Sequence, residues 1–209
     1  GSTVYTQGRG VQVASGLSGT PDFTMEAWVN LTSNTVAQTF FEIGNSASSG
    51  GTIAMGVDTS GKLTLTIDRA NPGSTFVHTP GNVSLPTGTW FHVGCVLQTR
   101  WDANTYQVCS LYNGVCTLGL AYAKSIFSSG MGSICQMGGN LGSTSYLTGS
   151  ITNFRVSSSY TAYQNPWGTR LSYTKVYPLE KLGSTTVLLQ GSPIVNMASP
   201  LSTVTALSL

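Results

Sequence analysis

The sequence predicts an all-β protein built as a two-sheet antiparallel sandwich. Residues 62–68 alternate leucine or isoleucine with lysine, threonine and aspartate, which is the period of a half-buried strand. Asn113-Gly114 lies between two strand-like segments, and Asn-Gly favours the two positive φ angles of a type I′ hairpin turn. No segment repeats apolar residues at helical spacing over more than two turns. Strands, on the order of a dozen of them, therefore account for the fold.

The predicted strands follow one another in hairpins. Residues 52–57 and 62–68 are joined by Asp58-Thr-Ser-Gly61, a turn sequence with glycine at its last position. The next hairpins pair 90–98 with 106–112, and 109–112 with 115–118. A late buried strand is predicted at 185–190.

A chain of 209 residues is long enough for one domain with a sizeable core. We expect a single sandwich over residues 1–191, in which 164–191 form a wrapping segment that contains the late strand. Pro178 and the Asn165-Pro-Trp-Gly168 sequence interrupt regular pairing in that segment. Residues 192–209 are predicted to be a C-terminal extension whose apolar character suits docking on a neighbour.

Five motifs occur in a fixed order along the chain. They are Phe23-Thr-Met-Glu-Ala-Trp-Val29, Gly88-Thr-Trp-Phe-His-Val-Gly-Cys-Val-Leu97, Tyr106-Gln-Val-Cys-Ser-Leu-Tyr-Asn-Gly114, Met137-Gly-Gly-Asn140 and Gly149-Ser-Ile-Thr-Asn-Phe-Arg-Val156. Their order resembles the concanavalin A-like jelly roll of laminin G and pentraxin type, over residues 3–165. The resemblance implies a jelly-roll path for the sandwich and a lectin-like function, and it is closest in character to viral and phage virion members.

Charge is sparse and scattered. Only 8% of residues are charged, and the nine lysines and arginines form no run that would neutralise several adjacent phosphates. Nucleic acid is therefore not an expected partner. The sequence also has no apolar stretch long enough to span a bilayer, so no membrane insertion is expected. A surface made mostly of hydroxyls, amides and backbone suits a packed assembly or a sugar-facing protein.

The acidic residues argue against catalysis. Asp22 and Glu26 are the closest pair, and on an extended strand they would lie about 13 Å apart, farther than the roughly 5–9.5 Å of glycosidase carboxyls. The serines never occur as Gly-x-Ser-x-Gly, and His78 and His92 fall on predicted strands. We therefore expect no enzyme. A glycoside hydrolase stays as an alternative because distant acids can converge in space.

Cys95, Cys109, Cys116 and Cys135 lack the spacing of a zinc site. Centring the 90–112 hairpin near Asp102 places Cys95 opposite Cys109, and Cys116 would face the core beside Leu111. We interpret the four as small buried thiols, which would suit folding in a host cytoplasm. A Cys95–Cys109 disulfide is the alternative that the predicted adjacency allows.

The predicted ligand site is a group of loop aromatics and their neighbours. Trp101 stands between Arg100 and Asp102 in a polar connection, where an exposed indole can stack on a sugar or anchor a protein. Packing back over the hairpin is the alternative role for Trp101. Tyr146 and Tyr160 are further candidates, although covering the sandwich edge would also explain them.

Two other predictions concern buried groups. Glu26 and Arg155 interrupt otherwise neutral strands, and relatives of the fold place those strands close together, so we expect a structural ion pair. Trp28 and Trp90 lie beside apolar residues and are predicted to be core. No cofactor is predicted. The resemblance allows calcium at a sandwich edge, but the scattered acids assign no ligands.

The function predicted from these observations is non-catalytic, lectin-like recognition of a glycan or cell-surface receptor. The resemblance favours an exposed virion part, such as a fibre, spike or capsid protrusion, and hence a virion-surface or extracellular location. The alternative is a structural capsid or fibre domain without ligand, whose apolar tail serves self-association or contact with virion neighbours.

Overall fold

The computed structural model describes residues 5–7, 10–15, 22–44, 51–68, 75–79, 82–99, 104–123, 134–141, 145–157, 185–189 and 194–195. Its strands are β1 Tyr5–Gln7, β2 Gly10–Ala14, β3 Phe23–Leu31, β4 Gln38–Gly44, β5 Thr52–Val57, β6 Leu63–Asp68, β7 Thr75–His78, β8 Trp90–Thr99, β9 Thr105–Tyr112, β10 Val115–Ala123, β11 Ile134–Met137, β12 Gly149–Ser157, β13 Thr185–Leu189 and β14 Ile194–Val195. Among the described residues, no helix has the length and apolar character needed to cross a membrane.

The strands form two antiparallel sheets. The first sheet has the order β1-β2-β11-β4-β5-β6-β7, and the second has the order β10-β9-β8-β3-β12-β13, with β14 also paired to β12. Because neighbours in the sheets are often distant in sequence, the path is that of a jelly roll rather than a simple meander. The predicted all-β, two-sheet antiparallel sandwich is confirmed.

The core lies between the two sheets and follows the strand alternation. On β3, Met25, Ala27 and Val29 are fully buried in this core, while the residues between them point to the opposite face. Phe41 of β4 and Phe154 of β12 pack across the sandwich with ring centroids 5.5 Å apart. The face of the second sheet that points away from the core is called the outer face below.

Both predicted turns are present. Asn113 and Gly114 have φ angles of 47° and 78°, and the pairing of Tyr112 with Val115 closes the hairpin around them. In the β5–β6 turn, the Asp58 carboxylate accepts hydrogen bonds from the backbone amides of Ser60 and Lys62 at 2.8 and 2.9 Å. Short polar side chains therefore fix both connections, as the sequence predicts.

The predicted Cys95–Cys109 adjacency is wrong by one residue. In the β8–β9 ladder, Cys95 pairs with Ser110 and Cys109 pairs with Val96. A shift of one residue turns a side chain to the other face. Cys95 consequently lies in the core between the sheets, and Cys109 lies on the outer face.

The cysteines are also not all thiols. Cys109 forms a disulfide with Cys116 across the β9–β10 hairpin, with 5.9 Å between their Cα atoms, whereas Cys95 and Cys135 are free and buried. Cys116 does pair with Leu111, but the two belong to a small outer-face cluster rather than the main core. The prediction of four reduced core cysteines is therefore wrong for Cys109 and Cys116.

The late strand is present as β13, which pairs with β12 at the edge of the second sheet. The rest of the predicted 164–191 wrapping segment lies outside the described residues. The same holds for the 192–209 extension, apart from Ile194–Val195, which pairs with Ser150 and Ile151. The division into sandwich, wrap and extension stays a prediction.

Candidate functional site

Most of the predicted ligand site lies outside the described residues. This applies to Arg100, Trp101, Asp102 and Tyr160. The structure does describe the residues that flank the 100–103 connection, and it describes Tyr146. Their positions show which parts of the predicted site the fold brings to the same end of the sandwich.

The base of the 100–103 connection is fixed by a carboxylate. Asp22, which precedes β3, accepts a hydrogen bond from the Thr99 backbone amide at 2.8 Å and another from the Thr99 hydroxyl. These bonds join the end of β8 to the start of β3, where Phe23 pairs with Leu97. The Asp22 carboxylate is therefore engaged in holding two strand ends together.

Tyr146 lies at the other end of the sandwich. It bridges to Gly139, and a Cβ added to Gly139 would lie 2.8 Å from Tyr146 Cδ1, so glycine is needed for the ring to approach the backbone. Three residues later β12 begins at Gly149, opposite Leu31 at the end of β3. The length of β3, roughly 26 Å at the usual strand rise, separates this end from Thr99. Tyr146 and Thr99 therefore lie at different ends of the sandwich.

A buried charged cluster lies on the outer face. Arg155 donates from Nε to Glu26 Oε1 at 2.9 Å and also donates from Nη2, so the two residues expected to pair are in contact. The other carboxylate oxygen of Glu26 lies 2.9 Å from His92 Nε2. Glu26 and His92 are fully buried, and Arg155 is 6% exposed. Glu26 is thus enclosed by partners, which suits a structural role better than acid–base exchange with a ligand.

A bulge in β12 makes this ion pair possible. Thr152 pairs with Trp28, and Arg155 pairs with Glu26. Between these two pairs the chain advances three residues along β12 but only two along β3. Asn153, whose φ is 51°, takes the extra position, and asparagine tolerates this left-handed conformation. With regular alternation Arg155 would point into the core. The bulge returns it to the outer face beside Glu26.

Gly94 makes room for the Glu26 side chain. The two residues are directly paired, and a Cβ added to Gly94 would lie 2.8 Å from both the Glu26 Cβ and the Met25 carbonyl oxygen. Any larger residue would displace the carboxylate or the β3 backbone. The cluster therefore depends on one residue from each of three adjacent strands and on a glycine.

The outer face carries a row of three partly exposed side chains near the start of β8. Trp90 of β8 pairs with Asn30 of β3, and Asn30 pairs with Ser150 of β12, so the three side chains form one row on the same face. All three are half-buried. β9 ends at Tyr112 opposite Val93, so among the described strands Trp90 has a neighbour only on its β3 side. We call the row Trp90, Asn30 and Ser150 the Trp90 platform.

The three residues of the Trp90 platform are each partly exposed to solvent. Among the described residues, none hydrogen-bonds to the side chains of Asn30 or Ser150. An amide offers two donors and an acceptor, and a hydroxyl offers one donor and two lone pairs. Beside them, Trp90 offers an apolar face with an N–H at its edge. Because all three lie on paired strands, the row can stack on one face of a ligand and hydrogen-bond its substituents with little rearrangement.

Sequence reasoning missed Trp90 because it treated an apolar neighbourhood as burial. Phe91, Val93 and Cys95 all face the core, so strict alternation places Trp90 on the outer face. Trp28 is buried as predicted, at 2% exposure, but it also lies on the outer face, with its ring 5.6 Å from the His92 ring. The period of the strand, rather than the hydrophobicity of neighbours, was the signal that could have found the platform.

The two free cysteines and the acids offer no alternative chemistry in the described part of the chain. Burial raises the pKa of Cys95 from 9.0 to about 12 and raises the pKa of Cys135 as well, so both remain protonated at neutral pH. In the ranges that the structure describes, no three of His, Cys, Asp and Glu come together as a metal site.

Comparisons with known proteins agree with this architecture. Residues 6–162 match the laminin G type 3 family, described as the concanavalin A-like lectin/glucanases superfamily. No curated protein matches the chain by sequence. The structure is similar to domain 4 of AbnA, an extracellular GH43 arabinanase from Geobacillus stearothermophilus solved in complex with arabinotriose. The TM-score is 0.52 at 19% identity, over 70% of this chain and 65% of that domain.

Two further structures are similar at low identity. One is a putative carbohydrate binding protein from Bacteroides ovatus, with a TM-score of 0.50, 15% identity, and coverage of 90% of this chain and 48% of that one. The other is the heptameric SAP-like pentraxin from Limulus polyphemus, with a TM-score of 0.49, 16% identity, and coverage of 92% and 97%. The chain spans less than two thirds of the arabinanase domain and about half of the Bacteroides protein.

Proposed function

Because the chain belongs to the concanavalin A-like lectin/glucanases superfamily, we propose that it is a non-catalytic, lectin-like domain that binds carbohydrate. The observation that carries the proposal is the Trp90 platform, where a half-buried indole lies in register with an amide and a hydroxyl. A sugar ring has an apolar face of C–H groups and a rim of hydroxyls. The platform offers a matching partner for each.

The expected energies are sufficient for a weak to moderate site. A single neutral hydrogen bond contributes about 0.5–1.5 kcal/mol net. Ring packing against Trp90 contributes a comparable amount beyond the burial of area. Asn30 lies on the strand beside Trp90, and Ser150 lies one strand farther. Cβ atoms of directly paired residues are about 4.5–5.5 Å apart, so one ring can contact two adjacent members of the row. Loss of the indole should then cost about tenfold or more in affinity.

The four acids whose side-chain contacts the structure describes support binding rather than hydrolysis. Glu26 is enclosed by Arg155 and His92, and Asp22 holds the end of β8. Glu42 accepts a hydrogen bond from the Leu141 backbone amide at 2.5 Å, and Asp58 closes the β5–β6 turn. Retaining and inverting glycosidases need two carboxyl groups facing one substrate. Each of these four carboxylates is instead tied to its own part of the fold.

We infer further that the domain is displayed outside the cell or on a virion surface, as part of a fibre, spike or capsid protrusion. A sparse charge of 8% and a surface of hydroxyls and amides support a role in contact with glycans or with packed neighbours. The Cys109–Cys116 disulfide supports exposure to an oxidising environment. The Geobacillus domain of the same fold, solved with arabinotriose, makes a short oligosaccharide the first ligand to test.

The test is a glycan array followed by calorimetric titration of the best ligand. Trp90→Ala should weaken binding about tenfold or more, Trp90→Phe should retain part of it, and Asn30→Ala should weaken it less. Tyr146→Ala is the matched control, since Tyr146 is another half-buried aromatic outside the platform. Melting temperatures are measured in parallel. If the folded protein binds no glycan, the proposed carbohydrate-binding function is wrong. If binding depends on Tyr146 and not on Trp90, the function stands but the binding site is not the Trp90 platform.

A further inference from the structure

We propose that the Trp90 platform selects uncharged glycans and rejects sialylated, uronic or sulfated ones. This inference rests on the proposed function and specifies its ligand class. It follows from the charges that surround the platform. The partner is identified by its chemistry: a neutral, polyhydroxylated ring with one apolar face.

The three strands of the platform come from charge-free parts of the sequence. Residues 70–99, 27–41 and 125–154 contain no aspartate, glutamate, lysine or arginine. These stretches supply Trp90, Asn30 and Ser150, respectively, so every immediate chain neighbour of the platform is neutral. These three stretches therefore contribute no lysine or arginine that could pair with a ligand carboxylate or sulfate.

Among the described residues, the two opposite charges on the same face neutralise each other. Glu26 is four residues from Asn30 along β3, about 13 Å at the usual strand rise, and it is paired with Arg155. Arg155 is nearly enclosed by this contact. Elsewhere, the Lys62 ammonium is held by the Ser84 hydroxyl at 2.6 Å and the Asn82 carbonyl oxygen at 3.3 Å. Both cations whose side chains the structure describes are thus engaged with partners outside the platform.

An anionic sugar would therefore lose hydration without gaining a counter-charge. Burying a polar group without compensation is unfavourable, and a charged group costs more than a neutral one. Proteins that recognise carboxylates or sulfates use arginine or lysine because charge-assisted hydrogen bonds are roughly twice as strong as neutral ones. A hydroxyl needs only the amide of Asn30 or the hydroxyl of Ser150. The platform should favour the neutral sugar of any matched pair by at least about tenfold.

The experiment compares matched ligands, such as lactose and sialyllactose, or a neutral oligosaccharide and its sulfated form. Binding of the neutral member should change little between about 0.1 M and about 1 M NaCl, although the screening length falls from about 10 to about 3 Å over that range. Ser150→Lys provides the engineered comparison. It places an ammonium in the row, and it should gain affinity for the acidic member with a clear salt dependence.

The outcomes separate this inference from the proposed function. If wild-type protein binds the acidic member better, or if its affinity for neutral sugar falls steeply with salt, the selectivity inference is wrong while carbohydrate binding stands. If neither member binds at any salt and no array glycan binds, the proposed function itself fails. Should Ser150→Lys lose its native melting transition, the wild-type ligand pair and salt series still decide the question.

Discussion

Replacing Glu26 by glutamine removes one charge from the buried cluster and keeps the shape of the side chain. Arg155 and His92 both contact this carboxylate, and neither Glu26 nor His92 is exposed to solvent. The substitution leaves the Arg155 guanidinium nearly enclosed without its counter-charge. We expect a large loss of stability, with the fold otherwise retained.

The magnitude follows from the burial of both partners. Breaking a buried ion pair by removing one partner costs about 3–5 kcal/mol, because the remaining charge stays desolvated. The side chains here are 7% exposed for Arg155 and 0% for Glu26, so the buried-pair range applies. For a chain of this length, 1 kcal/mol shifts the melting temperature by about 2–4 °C. Glu26→Gln should therefore lower it by roughly 6–20 °C.

The assay is thermal and urea denaturation of Glu26→Gln, Arg155→Met and the double variant. The double variant should be more stable than the sum of the single losses predicts, because it removes both charges together. Glu42→Gln is the matched control: its carboxylate is also buried, but glutamine retains an acceptor for the Leu141 amide, so a loss of only about 1 kcal/mol is expected. A Glu26→Gln protein within about 0.5 kcal/mol of wild type would refute the reasoning.

The remaining predictions concern the bulge and the free thiols. At Asn153, with φ 51°, valine should cost about 1–3 kcal/mol in urea denaturation and glycine much less, whereas equal losses would contradict a conformational role. Cys95 and Cys135 should resist iodoacetamide in the folded protein at pH 8 and react once it is unfolded. Because the pKa of Cys95 rises from 9.0 to about 12 on folding, the unfolded chain loses the proton first. Stability should consequently fall as pH rises from 9 toward 12, by about 1.4 kcal/mol per pH unit for this thiol, and Cys95→Ala should flatten that slope.

Local patterns in the sequence predicted the elements well. Alternation at 62–68 and the Asn113-Gly114 turn are determined by residues within a few positions, so period and turn chemistry suffice to find them. The contact between Glu26 and Arg155 was also expected, although it joins residues far apart in sequence, because each is a charge in a neutral strand. The resemblance to a known jelly roll indicated that the strands of Glu26 and Arg155 lie close together.

Register was the part that sequence could not supply. Cys95 and Cys109 were expected to face each other, yet the ladder differs by one residue because Thr99 pairs with Tyr106. The polar connection between these strands contains no Asn-Gly or other signal that sets its centre. A half-residue uncertainty in the middle of a hairpin is enough to place a cysteine on the wrong face.

The same limit explains why the sequence analysis selected loop aromatics and not Trp90. Trp101 was predicted to be exposed because it is a large apolar residue in a polar connection. Trp90 was predicted to be buried because its neighbours in the sequence do enter the core. Its exposure depends on where β9 ends relative to β8, at Tyr112 opposite Val93. That is a property of tertiary pairing. A tryptophan at the start of a core strand therefore needs the length of the adjacent strand before its role can be assigned.

The buried cluster and the platform lie on the same three strands. Interactions that stabilise the cluster therefore also hold the proposed binding site in place. If β12 slipped by one residue against β3, Ser150 would turn toward the core and the row with Asn30 and Trp90 would be lost. The β12 bulge and the Glu26–Arg155 pair fix that register from the far half of the same strands, because only the observed alignment brings the guanidinium to the carboxylate. The Glu26–Arg155 pair lies outside the proposed binding site and nevertheless fixes the position of the side chains that form it. A role in fixing strand register explains why a buried ion pair, which costs desolvation free energy, lies on a face whose other described side chains carry no Asp, Glu, Lys or Arg charge.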